Sequence, residues 1–170
     1  MTGIQSITLL VIVMTAVLYD LWSQKIPNGI IVTGLAFGFF YQIFAHGGIG
    51  IILFTGGSLL PILLFSILYY FRMIGAGDIK LLCVLGGFLG PYDGIRCIMA
   101  AVMAGGVISL VLILVRHLFG QRLCYLAEYI VRYSETKVWK PYLQGVGSEA
   151  RFAFSIPVLL AVLCYIGGIF

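Results

Sequence analysis

Charge is what this sequence has least of. Lys and Arg number 10 and Asp and Glu 6 in 170 residues, 9% of the chain against 62% hydrophobic residues, and the mean hydropathy is +1.13. A soluble domain needs a far more polar surface than this, so the composition points to an integral membrane protein. Other scarcities exclude particular chemistries. The four cysteines, Cys83, Cys97, Cys124 and Cys164, form no C-x-x-C pair, and all but one lie within apolar runs, which indicates neither a zinc site nor a disulfide framework. The two histidines, His46 and His117, fall on opposite membrane faces in the topology derived below, so no joint metal site and no cofactor is expected. The serines sit in no recognisable nucleophile motif and have no obvious base. The net charge of +4 reads as topogenic charge on a membrane protein rather than as a nucleic-acid footprint.

What the sequence does have is long apolar runs separated by short polar breaks. Alternating ten-residue segments are missing, which favours a helical bundle over an outer-membrane barrel. The first run, Ile4 to Tyr19, carries no charge and has neither a basic n-region nor a small-residue cleavage site. It reads as a retained span rather than a signal peptide. A break from Asp20 to Asn28 follows, where Pro27 cannot continue a helix and restrains Ile26 to an extended conformation. Gly29 to Ala45 makes a second span, His46-Gly47-Gly48 a tight turn, and Ile49 to Phe71 a third span interrupted by Pro61. A fourth run, Leu81 to Leu89, closes on Gly90-Pro91-Tyr92-Asp93-Gly94. Even counted from Asp78 to Gly90 it covers only about 20 Å, short of a hydrocarbon core of about 30 Å. A fifth span runs from Ile95 to Val115 and a sixth from Phe152 to Phe170. Between them, Arg116 to Arg151 is the long polar segment, with an apolar stripe of Phe119, Leu123, Leu126, Ile130 and Tyr133 that predicts an interfacial amphipathic helix. The expected fold is therefore all-α: a bundle of about six transmembrane helices in a single membrane-embedded domain, residues 1–170.

Alternating spans place the breaks at 20–28, 72–80 and 116–151 on one face. That face holds Lys25, Arg72, Lys80, Arg116, Arg122, Arg132, Lys137, Lys140 and Arg151, leaving Arg96 for the other. The positive-inside rule makes it cytoplasmic and puts both termini outside. Asp20 and Asp78, far apart in sequence, then fall at cytoplasmic span ends and can meet.

Around Asp78 the sequence reads Gly75-Ala76-Gly77-Asp78-Ile79-Lys80. A carboxylate within a membrane protein costs about 2.5–3.5 kcal/mol on insertion scales and is a functional-site candidate by default. Gly75 and Gly77 would allow unusual backbone conformations and let another backbone, such as a peptide substrate, approach Asp78. A purely structural reading pairs Asp78 with Arg72 or Lys80 at a helix mouth. Two carboxylates that meet cannot both ionise cheaply, so one keeps its proton while the other acts as a base, the arrangement of an aspartic-protease dyad. Asp93, Glu128, Glu135 and Glu149 read instead as solvated charges. Lys80 reads as a supporting charge at the cytoplasmic mouth, a snorkelling topogenic lysine being the alternative.

At these residues the chain resembles the type IV prepilin peptidases, within the wider group of intramembrane aspartyl proteases marked by GxGD. Asp20 is followed at the family's spacing by Ile26-Pro27-Asn28; Gly75-Ala76-Gly77-Asp78-Ile79-Lys80-Leu81-Leu82 matches GxGD-[VI]-KL; Phe154-Ser155-Ile156-Pro157 stands where the family opens its last helix. The resemblance implies that Asp20 and Asp78 are catalytic, with Gly75, Gly77, Lys80, Pro27 and Asn28 as motif and supporting residues. It implies as substrate the N-terminal leader of a prepilin or pilin-like protein, cut at the cytoplasmic face of a bacterial or archaeal membrane. Larger members add an N-terminal region with paired C-x-x-C motifs and also methylate the new N-terminus. This chain begins at the catalytic core and lacks the pairs, so peptidase activity is expected and N-methylation is not.

Two other readings compete. Tyr19-Asp20 and Gly75-to-Asp78 echo presenilin and signal peptide peptidase, but those proteins have more spans and a Pro-Ala-Leu motif missing here. A small transporter or assembly subunit could use the aspartates for protons or cations, but would carry them well inside broken spans. For the peptidase, the segment from Arg116 to Arg151 is expected to act as a movable cover that binds through its apolar stripe.

Overall fold

Several helix boundaries fall where the sequence supplies a proline or a glycine. The computed structural model describes residues 3–23, 26–71, 74–115 and 154–168, with no strand among them. The helices are α1 (Gly3–Ser23), α2 (Asn28–His46), α3 (Gly48–Tyr70), α4 (Ala76–Val115) and α5 (Ser155–Ile166). Pro27 stands ahead of α2 in an extended conformation, φ −60° and ψ 135°, and its carbonyl accepts the Ile30 N–H at 3.1 Å. Gly47 turns the chain from α2 into α3 at φ 60°, a left-handed conformation suited to glycine, and donates to the Ile43 carbonyl at 2.8 Å. α3 runs without interruption through Pro61.

α4 is not one straight rod. At Gly90 the backbone leaves helical geometry (φ 79°, ψ 175°), and Pro91 follows. In a straight helix, residues eight apart stand about 12 Å apart along the axis. Here a Cβ placed on Gly94 would lie 3.1 Å from the Gly86 Cα. The chain therefore folds back on itself, as the turn residues after Leu89 predict, leaving a short first limb (76–89) and a longer second limb (91–115). The reversal strands carbonyls at the end of the first limb, because Pro91 has no N–H to return. Two buried glutamines supply the missing donors. Gln42 Nε2 donates to the Gly87 and Phe88 carbonyls at 3.3 and 3.0 Å, and Gln5 Nε2 donates to the Phe88 carbonyl at 2.8 Å.

Glycines set how closely the elements pack. A Cβ on Gly57 of α3 would stand 2.0 Å from the Gly86 carbonyl oxygen, and one on Gly86 2.1 Å from that of Gly57, so the two backbones touch. On α2, Gly34 receives the Val84 side chain and Gly38 the Phe88 ring, the use expected of its Gly-xxx-Gly spacing. The first limb of α4 is thus enclosed. Leu81, Leu82, Leu85 and Phe88 are fully buried together with Leu9 and Val13 of α1 and Val158 and Val162 of α5. The outward faces are apolar too, with Val32, Phe44, Ile52, Leu63 and Ile67 exposed, as a bundle in lipid requires.

Among the described residues four helices, α1 to α4, are long and apolar enough to cross a membrane; α5 is apolar but shorter. The sequence separates a fourth span from a fifth, and the structure divides α4 at Gly90 into two limbs that correspond to them. The sequence ends the first span at Tyr19, whereas α1 continues to Ser23, because the arrest imposed by Pro27 acts only on the residues just before it. The expected amphipathic helix between Arg116 and Arg151 lies outside the described residues, as do Lys25, Arg72 and His117.

Candidate active site

Asp78 occupies the third position of α4, one turn in from Gly75. Its carboxylate turns back to accept the Gly75 N–H, while the Gly75 carbonyl accepts the Ile79 N–H at 3.4 Å. This reach of a third-position acid to the residue before the helix is one half of a capping box, and the positive end of the helix favours a carboxylate there. Gly75 is needed for room. A Cβ at that position would lie 3.0 Å from Asp78 Oδ2. Neither Gly75 nor Gly77 has a positive φ, so the unusual backbone expected of them is not what they supply. Gly77 leaves space for Ile26, whose side-chain carbons come within 3.7 Å of where its Cβ would be.

Asp20 lies in the last turn of α1, half buried. That position faces the negative end of its own helix, an unfavourable place for a carboxylate. α5 compensates. Ser155, its first residue and fully buried, donates its Oγ hydroxyl to Asp20 Oδ2 at 2.6 Å. Each aspartate is therefore stabilised at the start of a helix, Asp78 by α4 and Asp20 by α5. The two carboxylates stand near enough for the charge of Asp20 to act on Asp78.

Beside them Lys80 Nζ donates to Asn28 Oδ1 at 2.9 Å, with both side chains exposed. Lys80 is thus engaged with the start of α2 and not with Asp78. Pro27 places Asn28 for this contact by opening α2 one residue earlier.

The Type IV leader peptidase family model matches residues 7–110, more than half of the chain. The chain belongs to that family. No curated protein and no solved structure matches it. In this leader peptidase family member the matched stretch holds both aspartates, Pro27, Asn28 and the whole run from Gly75 to Lys80, and Ser155 lies beyond it.

The other end of the bundle is also polar. Gln5, Tyr41, Gln42, Ala45, His46, Leu89, Asp93 and Tyr165 line a cavity of about 370 Å³. There Asp93 is hydrogen-bonded to Tyr165 and stands 4.0 Å from Arg96, whose guanidinium also lies over the Tyr92 ring. The bundle thus sends Asp93 to the end away from Asp20 and Asp78, as the alternating spans predict. Ser155 is the site residue that sequence reasoning missed. It sits in no nucleophile motif, and its partner, Asp20, comes from the opposite end of the chain.

Proposed function

We propose that this protein is a membrane aspartyl endopeptidase that removes the N-terminal leader of type IV prepilins or pilin-like proteins, with Asp20 and Asp78 as its dyad. The observation that carries the reading is the pair itself: two carboxylates from separate helices at one end of an apolar bundle, electrostatically coupled and each with its own hydrogen-bond donor. One carboxylate, ionised, takes a proton from water as the oxygen attacks the scissile carbonyl. The other, protonated, gives its proton to the carbonyl oxygen. When the tetrahedral intermediate collapses, the C–N bond breaks and the departing amine takes up a proton from the dyad. The protons belong to the pair, and either aspartate can start in either role.

The two limbs of α4, counted separately, complete a six-span order with α1, α2, α3 and α5. The dyad end would then face the cytoplasm and both termini the outside, in keeping with the Lys and Arg bias of the sequence. The position of both aspartates in terminal helical turns weighs against a transporter, which would hold them at mid-membrane. Purified protein in nanodiscs, incubated with a pilin-like peptide bearing a basic leader and an apolar helix, tests the reading. Cleavage at the leader junction that disappears in Asp78→Asn is the expected result. Cleavage surviving in that variant would remove Asp78 from the mechanism.

A further inference from the structure

We propose that Ser155 is the positioning residue for Asp20, a third member of the site supplied by the last helix. The proposal rests on the peptidase reading above and adds a role for α5, which the family match does not reach. A carboxylate at the end of a helix has two free side-chain torsions and, left alone in an apolar bundle, would turn toward whatever donor it finds. Ser155 removes that freedom. Its Oγ lies 2.6 Å from Asp20 Oδ2, a short charge-assisted contact, and the whole side chain has no exposed surface. With Oδ2 engaged, Oδ1 is the oxygen left for water and for Asp78.

The serine is itself held rigidly. It opens α5 two residues ahead of Pro157, whose fixed φ suits the first turn of a helix. Both residues are buried, as are Val158, Ala161 and Val162 behind them. Gly105 on the second limb of α4 receives the Phe154 ring and Pro157, with a Cβ there 3.1 Å from Phe154 Cε2. The backbone that carries the hydroxyl is thus held by packing of the residues on both sides of Ser155. An element with no carboxylate, lysine, arginine or histidine among its described residues orients an aspartate that arrives on α1.

The test uses the full chain in nanodiscs and the pilin-like peptide, with Ser155→Ala, Ser155→Thr and Asp20→Asn compared with the wild type. If the wild type does not cleave, the peptidase reading itself fails. Given cleavage by the wild type and none by Asp20→Asn, Ser155→Ala should lower kcat about ten- to a hundredfold, the loss expected when a donor to a charged group is removed, and leave KM within about twofold. Ser155→Thr, which keeps the hydroxyl, should recover most of the rate. Wild-type kcat in Ser155→Ala would overturn the proposal. So would a loss carried by KM, or a Thr variant no better than Ala, since either would assign the residue to packing alone.

Discussion

Asp20 and Asp78 differ in what holds them, and that difference makes single-residue experiments informative. Asn keeps the shape of either side chain and loses its proton chemistry, so Asp20→Asn and Asp78→Asn should each lower the cleavage rate by roughly 10²–10⁴-fold or more. Asp93→Asn, at the far end against Tyr165 and Arg96, should cleave at close to the wild-type rate. Initial rates at matched expression decide both. Gly75→Ala probes the carboxylate differently. Its new Cβ would lie 3.0 Å from Asp78 Oδ2, and a displaced carboxylate predicts a fall in kcat of about tenfold, ~1.4 kcal/mol, with little change in thermal stability. If Gly75→Ala kept full activity, the room left there would be incidental. At this scale the sequence pointed to Asp20 and Asp78, which the fold brings near one another, but not to what holds each of them. The spacing from Gly75 to Lys80 drew attention to that stretch, but read glycine as backbone freedom where the fold uses it as space. Lys80 was equally visible as a charge near Asp78, while its acceptor, Asn28, is a contact only the packed bundle shows.

Elements meet through these contacts, and their stability should respond accordingly. The Lys80 to Asn28 bond joins the starts of α4 and α2, and a cycle of Lys80→Met, Asn28→Ala and the double variant should give a coupling of about 0.5–1 kcal/mol. A coupling indistinguishable from zero would mean that the exposed pair contributes nothing to the site. Inside the bundle the penalties are larger. Gly57→Ala would press a Cβ to 2.0 Å from the Gly86 carbonyl oxygen, which is backbone and cannot swing aside, so α3 and α4 must separate. Melting in micelles should show this variant among the least stable. Gln42→Leu should cost about 1–3 kcal/mol by leaving the Gly87 carbonyl without its donor. Element boundaries set by Pro27, Gly47 and Gly90 could be read from the sequence, because those residues act on their own neighbours. The roles of Gln5 and Gln42 could not, since a glutamine in an apolar run gives no sign of which distant carbonyl it will meet.

For the molecule as a whole, the two ends of the bundle hold different sets of polar residues. One gathers Asp20, Asp78, Lys80, Asn28 and Ser155; the other gathers the glutamines, Asp93 and the reversal at Gly90. What joins them is the first limb of α4, buried from Leu81 to Phe88 among α1, α2, α3 and α5. That limb is a depth gauge. Its stop is fixed at one end, where Gln5 and Gln42 grip Gly87 and Phe88, and Asp78 is the mark at the other tip. One residue inserted between them would move the mark about 1.5 Å along the axis and swing it by about 100°. The carboxylate would then point away from Asp20 with every side chain of the proposed dyad still present. The position of Asp78 is thus metered from the opposite end of the bundle, by a stop that never touches the proposed dyad.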